Sequence, residues 1–297
     1  MQYTSLILHF FVFFLALLNV NMIQTKNKQT TRRKLFMNKN KLIIFAVALC
    51  CLILTLQLTI HAGTTTYNWY CKRNTNHCQP KCEPSMDFIS QYNCFFVDAK
   101  LTDNSTTKRI YLTFDAGYEN GNVEKILDVL KQKNVHAAFF ILNNLIKTNT
   151  DLVKRMAQEG HTVCNHTASH KDMSKIHDIN DFQNELQKLE YTYKEMTGFD
   201  MAKYYRPPEG KFSEKNLEFA SQLGYKTVFW SFAYADWDNN SQPSPEKALK
   251  LITDNIHNGA VLLLHPTSST NALILEELID TLQKDGYTFG TLDQLTA

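Results

Sequence analysis

Several ionisable residues in this sequence come directly after short apolar segments. They are Asp115, His166, His170, Arg206 and His265. A carboxylate and imidazoles can together bind a divalent metal ion and transfer protons. If the apolar segments are parallel strands, these side chains meet at one edge of the sheet. The pattern then predicts metal-assisted hydrolysis of an amide or an ester.

The two histidines His166 and His170 are four positions apart. On a helical turn residues i and i+4 share a face, so both imidazoles could reach one metal ion. Imidazole ligands favour zinc, cobalt or another late divalent ion over magnesium or calcium. A chance pair is the alternative, because the sequence contains 10 histidines. The position just after an apolar segment favours the metal site.

The proton transfers of such a reaction can be assigned to two further residues. A bound metal ion polarises a carbonyl group and lowers the pKa of a water molecule. Asp115 suits the acceptor of the proton from that water, and His265 suits the donor to the leaving atom.

Apolar segments of strand type alternate with segments of helical periodicity from Arg109 onward. The predicted strands are Ile110–Phe114, Ala137–Leu142, Thr162–Asn165, Tyr204–Arg206, Lys226–Trp230, Ala260–Leu264 and Tyr287–Gly290. The predicted helices are Asn122–Lys133, Thr150–Gln158, Ile179–Met196, Ser213–Leu223, Pro245–His257 and Asn271–Asp285. The alternation predicts an α/β fold with a parallel sheet, closed into a small or incomplete barrel.

The amino-terminal part has the pattern of an export signal. Leu42–Ile60 is a run of 19 residues that is mostly apolar and just long enough to span a bilayer, and basic residues precede it. We predict a signal peptide or signal anchor over 37–62, with translation starting at Met37 and an extension over 1–36. The alternative is a helical hairpin that also uses the apolar segment Ser5–Val20. Basic residues before the run place the rest of the chain outside the cytoplasm.

Cysteine usage agrees with export. Cys71, Cys78, Cys82 and Cys94 lie within 24 residues of a polar, aromatic-rich arm over 63–107 that shows little periodicity. Two disulfides would tie down such an arm, and a zinc site of four cysteines is the alternative. Cys164 is expected to be a buried thiol.

The charge distribution argues against nucleic-acid binding. Residues 1–62 carry seven basic and no acidic residues, so the remainder has 24 basic against 29 acidic residues, a net charge of −5. A folded part with a net negative charge lacks the electrostatic footprint of a nucleic-acid-binding protein.

The ordered motifs across residues 108–297 resemble the polysaccharide deacetylases that share the NodB homology domain. The matching segments are Thr113–Gly117, His166–His170, Arg206–Gly210, Asp236–Trp237 and Val261–His265. Within the family, Tyr118–Gly121 and Tyr205–Glu214 look most like the branch that deacetylates N-acetylmuramic acid in peptidoglycan, during muramic δ-lactam formation in the spore cortex. The resemblance implies an incomplete or distorted (β/α)7 barrel and a divalent metal ion, with zinc expected and cobalt or manganese as alternatives.

The resemblance also implies roles for single residues. Asp115 is the general base and His265 the general acid, while His166 and His170 are metal ligands. Arg206 orients the base, which is physically sensible because a fixed cation keeps an aspartate ionised. Asp236 holds His265 in the state of a general acid.

Substrate-binding residues follow from the same resemblance. Trp237 and Leu263 form an apolar wall around the acetyl methyl group, and Pro207 shapes the loop of the third motif. Tyr118 is a further substrate-binding residue. For Trp237 and Leu263 the alternative is simple core packing, and for Arg206 and Asp236 it is a structural ion pair.

One departure from the family pattern affects the metal site. The first motif of the family usually has a second aspartate as third metal ligand, where this chain has Ala116. Metal binding should therefore be weak, unless Glu119, Asn120 or Asn165 replaces the missing ligand. The muramic branch also departs from aspartate at this position.

These observations predict a membrane-anchored or secreted deacetylase that acts on peptidoglycan glycan strands. A deacetylase of chitin-like or xylan polymers is an alternative within the same class. A glycan-binding protein that has lost catalysis through Ala116 is an alternative of another class, and an arm that docks another protein is a third.

Overall fold

The computed structural model describes residues 41–53, 65–73, 75–102 and 105–297. It divides into an amino-terminal unit, residues 1–59, and a main unit, residues 60–297. In the amino-terminal unit, residues 41–53 form a helix with exposed apolar side chains. None of the helices in the described ranges is both long and apolar enough to cross a membrane. Residues 54–62, Ser5–Val20 and Met37 lie outside the described residues.

The main unit alternates strands and helices as predicted. The strands are β1 (Tyr67–Asn68), β2 (Cys94–Phe95), β3 (Lys108–Ala116), β4 (Ala138–Ile141), β5 (Thr162–Asn165), β6 (Ala202–Tyr205), β7 (Lys211–Phe212), β8 (Lys226–Val228), β9 (Phe232–Ala233), β10 (Ala260–Leu264) and β11 (Tyr287–Phe289). The helices are α1 (Val123–Gln132), α2 (Asn143–Thr148), α3 (Thr150–Gln158), α4 (Ile179–Thr197), α5 (Glu214–Gln222), α6 (Pro245–Asn255), α7 (Ser269–Lys284) and α8 (Leu292–Thr296). All seven predicted strands and all six predicted helices are confirmed. Thr162–Asn165, Ala260–Leu264 and Thr150–Gln158 have the predicted bounds, and the other ten have shifted ends.

The large sheet is parallel throughout and has the strand order β2-β8-β6-β5-β4-β3-β10-β9, with β11 also paired to β3. This is an α/β half-barrel, so the predicted parallel barrel is confirmed in its coarse form. Within the described residues the sheet has nine strands. It exceeds the expected seven because β2 from the arm and the short β9 also join it.

Burial on both faces explains why the central strands are continuous apolar runs. Every residue of β4 and β10 is buried. Along β3 successive side chains point to opposite faces. Ile110, Leu112, Phe114 and Ala116 belong to the core cluster beneath the helices, whereas Tyr111 belongs to the cluster inside the barrel. The alternation therefore places Asp115 on the inner face.

The arm of residues 65–98 is integrated into the main unit, where its side chains share an apolar cluster with the barrel. β1 pairs with β7, and β2 pairs with β8. Trp69 and Met86 pack in one cluster with Phe212 and Phe229 of the barrel. Aromatic side chains of the arm therefore bury apolar surface that periodicity could not detect.

The predicted pair of disulfides is not formed in the structure. Cys71, Cys82 and Cys94 are free thiols that pack against the apolar cluster around Trp69. Burial raises the pKa of the Cys71 thiol to about 12, and that of Cys94 also to about 12. Burial also raises the pKa of Cys82, to about 11, so these three partly buried cysteines are protonated at neutral pH. Cys164 is a buried thiol, as expected.

Candidate active site

Asp115 lies near the carboxyl end of β3 and is paired with Arg206, the residue that follows β6. The Nη1 atom of Arg206 donates to Oδ1 of Asp115 over 2.8 Å. Although burial opposes ionisation, Arg206, His166 and His265 hold the pKa of Asp115 below its ordinary value. Asp115 is therefore a carboxylate at neutral pH, with Oδ2 left to accept a proton.

The guanidinium of Arg206 is fully buried and held on several sides. Its Nε atom donates to the carbonyl of Val228 over 2.9 Å, and Nη2 donates to Thr113 Oγ1 and to the carbonyl of Phe229 over 3.0 and 3.2 Å. The ring of Phe140 lies 4.1 Å from its Cζ atom. Three strands thus fix the cation that orients Asp115. Thr113, which begins the first motif but had no predicted role, is one of its partners.

His166 and His170 come together beyond the end of β5, with ring centroids 5.1 Å apart. The predicted helical turn is wrong, because the segment is a loop in which Thr167 and His170 have φ values of 75° and 56°. This left-handed backbone region is uncommon for residues other than glycine. The loop brings the two rings to one place without the i, i+4 geometry of a helix.

The chemistry of His166 fits a metal ligand. Its Nδ1 atom lies 2.9 Å from the carbonyl of Arg206, which can only accept, so Nδ1 carries the proton. The Nε2 atom, with its lone pair, is 3.6 Å from Oδ2 of Asp115. Burial lowers the pKa of His166 to about 4, so the imidazole is neutral and free to coordinate at neutral pH.

The described residues do not supply a third protein ligand beside His166 and His170. Across the described residues, no group of three or more histidine, cysteine, aspartate or glutamate side chains is arranged to hold a metal ion. Ala116 is buried and carries no donor atom. Asn165 cannot substitute, because its Nδ2 donates to Leu186 and its Oδ1 accepts from Thr167. Asn120 donates to the carbonyl of Thr267. The residues present fit a site of two imidazoles beside Asp115.

His265 and Asp236 form the second half of the site. The Nδ1 atom of His265 lies 2.7 Å from Oδ1 of Asp236, which is fully buried. Oδ2 of Asp236 accepts from the backbone N–H of His265 over 2.8 Å and from Nδ2 of Asn271 over 2.6 Å. Burial works against protonation, but Asp236 and then Asp115 raise the pKa of His265. The pair leaves Nε2 of a readily protonated imidazole for the substrate.

Asn271 is a participant that the sequence analysis placed only at the start of a helix. It lies in the first turn of α7, where its backbone N–H donates to the N-cap residue Ser268. Its amide also donates to the carbonyl of His265 over 3.0 Å. The hydroxyl of Tyr234 donates to its Oδ1 atom. The only signal in the sequence is an asparagine in the first turn of a helix just after the fifth motif.

The predicted substrate-binding residues lie around this edge with different exposure. Trp237 is 61% exposed, and its ring is 6.3 Å from that of His265. Tyr118 is also exposed, and Nδ2 of Asn239 lies 2.6 Å from its hydroxyl oxygen. Leu263 is almost completely buried in β10, and Pro207 is buried at the start of the third-motif turn. An exposed tryptophan and tyrosine suit sugar contacts, whereas Leu263 contributes mainly to packing.

Residues 102–228 match the model of the polysaccharide deacetylase family. The chain is 40% identical over 229 residues, 77% of its length, to the peptidoglycan-N-acetylmuramic acid deacetylase PdaA of Bacillus subtilis, and the match covers 85% of that protein. It is 34% identical to the peptidoglycan-N-acetylglucosamine deacetylase PgdA of Listeria monocytogenes over 64% of this chain and 39% of that protein.

Solved structures agree with these matches. The structure of Bacillus subtilis PdaA, described as a family 4 carbohydrate esterase, superposes with a TM-score of 0.73 and 38% identity, over 78% of this chain and 97% of that one. A Bacillus anthracis protein described as a family 4 pseudoenzyme superposes with a TM-score of 0.59 and 26% identity, over 65% of this chain and 66% of that one. The chain therefore belongs to the polysaccharide deacetylase family, a group of family 4 carbohydrate esterases that hydrolyse carbon–nitrogen bonds of acetylated sugars.

Proposed function

We propose that this protein removes the acetyl group from N-acetylmuramic acid residues of peptidoglycan. The main support is the strand register: β3 and β10 are parallel neighbours with Phe114 opposite Leu264, so the Asp115–Arg206 pair and the His265–Asp236 pair follow the same edge of the sheet. The similarity to a muramic acid deacetylase supports the choice of sugar. The product would be the free amine from which a muramic δ-lactam of spore cortex forms.

In this reaction a water molecule adds to the acetamido carbonyl, and the carbon–nitrogen bond then breaks. A divalent metal ion, when bound by His166 and His170, supplies polarisation of the carbonyl and a more acidic water. Asp115 accepts the water proton on Oδ2, because Oδ1 is engaged by Arg206. His265 donates a proton from Nε2 to the leaving nitrogen, so the products are acetate and an amine.

The protein is proposed to act outside the cytoplasm, where peptidoglycan is found. The basic residues ahead of the apolar run Leu42–Ile60 support export with retention or secretion. The donor set supports zinc, with cobalt or manganese as alternatives, and two imidazoles should bind any of them weakly.

Acetate release from purified muropeptides, with and without added zinc, cobalt or manganese, tests the proposal. We expect release that depends on added metal and is lost in Asp115→Asn and His265→Ala. Chitin oligosaccharides and acetylated xylan serve as competing substrates. Faster acetate release from either polymer would reassign the substrate. No acetate release from any substrate would refute the proposal that this protein is an active deacetylase.

A glycan-binding protein without catalysis is the second candidate, and Ala116 is the observation that favours it. Its prediction is that Asp115→Asn and His265→Ala leave glycan retention unchanged while acetate release is absent in every variant. Metal analysis of the protein beside Ala116→Asp adds an independent measurement. A large gain of bound metal in the variant would show that the site lacks one ligand of a usual triad.

A further inference from the structure

The loop that carries His170 needs contacts to hold its shape. Thr167 and His170 both have positive φ values, which side-chain-bearing residues rarely adopt. Two hydrogen bonds lie inside the segment: Thr167 N–H donates to Asn165 Oδ1 over 2.8 Å, and His170 N–H donates to Thr167 Oγ1 over 3.0 Å. Neither bond involves Ser169.

The two histidines of this loop differ in how they are held. His166 is buried, and its ring lies 2.9 Å from the carbonyl of Arg206. His170 is exposed, and within the described residues no hydrogen bond to its ring is found. The direction of the His170 imidazole therefore depends on the backbone on either side of it.

Glu185 of α4 contacts the residues on both sides of His170, through the backbone and hydroxyl of Ser169 and the side chain of Lys171. Its Oε1 atom accepts from the N–H of Ser169 over 2.7 Å and from the Ser169 hydroxyl over 2.5 Å. Its Oε2 atom is 2.9 Å from Nζ of Lys171. The Glu185 side chain is itself only 8% exposed. A buried carboxylate on a rigid helix thus binds the residues immediately before and after His170.

We propose that Glu185 is a positioning residue, which aims the His170 imidazole at the site shared with His166 by fixing the backbone of Ser169, with the Lys171 ammonium as a second contact. With two imidazole ligands and no carboxylate at position 116, metal affinity depends strongly on both rings being in place. Partners that orient metal ligands affect affinity in this way in other proteins. The inference rests on the proposed function, because it takes the two histidines as metal ligands.

The test compares Glu185→Ala with Glu185→Gln by zinc competition against a chromophoric chelator, without substrate. We expect Glu185→Ala to lower zinc affinity by about 10- to 100-fold. Glu185→Gln should lose less zinc affinity than Glu185→Ala, because the glutamine amide oxygen can still accept a hydrogen bond from Ser169. Hydrogen exchange at Ser169 of the metal-free protein should accelerate in the alanine variant.

Glu190→Ala is the matched control. Glu190 lies on the same helix and binds Lys203 over 2.6 Å, away from the histidine loop. We expect it to change stability but not zinc affinity. Unchanged zinc affinity in Glu185→Ala, or an equal loss in Glu190→Ala, would overturn the positioning role. Failure of acetate release alone would refute the proposed function and leave this result standing, whereas absence of zinc binding by the unaltered protein would refute the inference.

Discussion

Arg206 shows how one buried side chain can organise a reactive carboxylate. Its guanidinium donates to Asp115, Thr113 and two backbone carbonyls, so its position is determined by several strands at once. A planar cation with fixed donors is suited to such a place, and a lysine ammonium is not equivalent.

We expect Arg206→Lys to lower the free energy of unfolding by about 2–4 kcal/mol, because several charged hydrogen bonds are lost in a buried place. Acetate release should fall by about 100-fold, since Asp115 would no longer be held in position. Urea denaturation and initial rates measure the two effects. Arg155→Lys, a change at an ion pair on α3, serves as control. Equal effects in both variants would contradict the assignment.

Asp236 sets the charge state of His265. Because the carboxylate raises the pKa of the imidazole, His265 stays protonated to higher pH than it would alone. We expect Asp236→Asn to lower that pKa, so the alkaline limb of the pH–rate profile moves to lower pH. Asp238→Asn, two residues further on, should leave the profile unchanged. An unmoved alkaline limb in Asp236→Asn would contradict the role of His265 as the acid.

At the scale of elements, the arm braces the strand ends that hold Arg206. Trp69 stacks on Phe229 with centroids 4.5 Å apart and donates to the carbonyl of Trp230 over 2.8 Å. The carbonyl of Phe229 in turn accepts from Arg206. Gly210 has a φ of +67° and lies against Trp69 and Trp230, so a side chain would not fit there. The arm is therefore part of the support of the site.

Trp69→Ala should lower the free energy of unfolding by about 3–5 kcal/mol, as expected for a truncated core aromatic. We also expect a loss of acetate release at temperatures where the variant is folded, because the segment around Phe229 would relax. Tyr70→Ala changes a neighbouring aromatic that is 49% exposed and is the matched control. Full activity of folded Trp69→Ala would show that the arm is dispensable for the site.

At the scale of the whole molecule, buried neutral histidines make stability depend on pH. Burial, with the nearby His136, lowers the pKa of His161 from its ordinary value of 6.5 to about 4. The unfolded chain therefore binds a proton below pH 6.5 that the folded protein resists. Above pH 6.5 His161 is neutral in both states and does not reduce the free energy of unfolding. As the pH falls from 6.5 toward 4, preferential protonation of the unfolded chain lowers that free energy progressively.

We expect the free energy of unfolding to decrease between pH 7 and pH 4.5, with His161 accounting for at most about 3 kcal/mol. In His161→Gln this decrease should be smaller, although His166 contributes in the same direction. Urea denaturation at several pH values measures it. His177→Gln, at an exposed position, should behave like the unaltered protein. A pH dependence that is identical in His161→Gln would refute the assignment.

The sequence by itself determined the strands, the helices and the order of the motifs. Continuous apolar runs such as Ala260–Leu264 identify strands buried on both faces, and the residues after them predict the edge where Asp115, His166 and His265 lie. The spacing of apolar residues identifies strands and helices because buried positions recur at regular intervals along each element. The resemblance to the deacetylase family rests on the same ordered residues and is confirmed.

Only the tertiary structure decided how distant segments complete the site. The contact of Glu185 with Ser169 joins residues 16 positions apart, and that of Asn271 with Asp236 joins residues 35 positions apart. The packing of the arm likewise depends on apolar surface of the barrel that only folding brings beside it. Such contacts have no periodic signature, because they depend on which surfaces meet after the chain has folded.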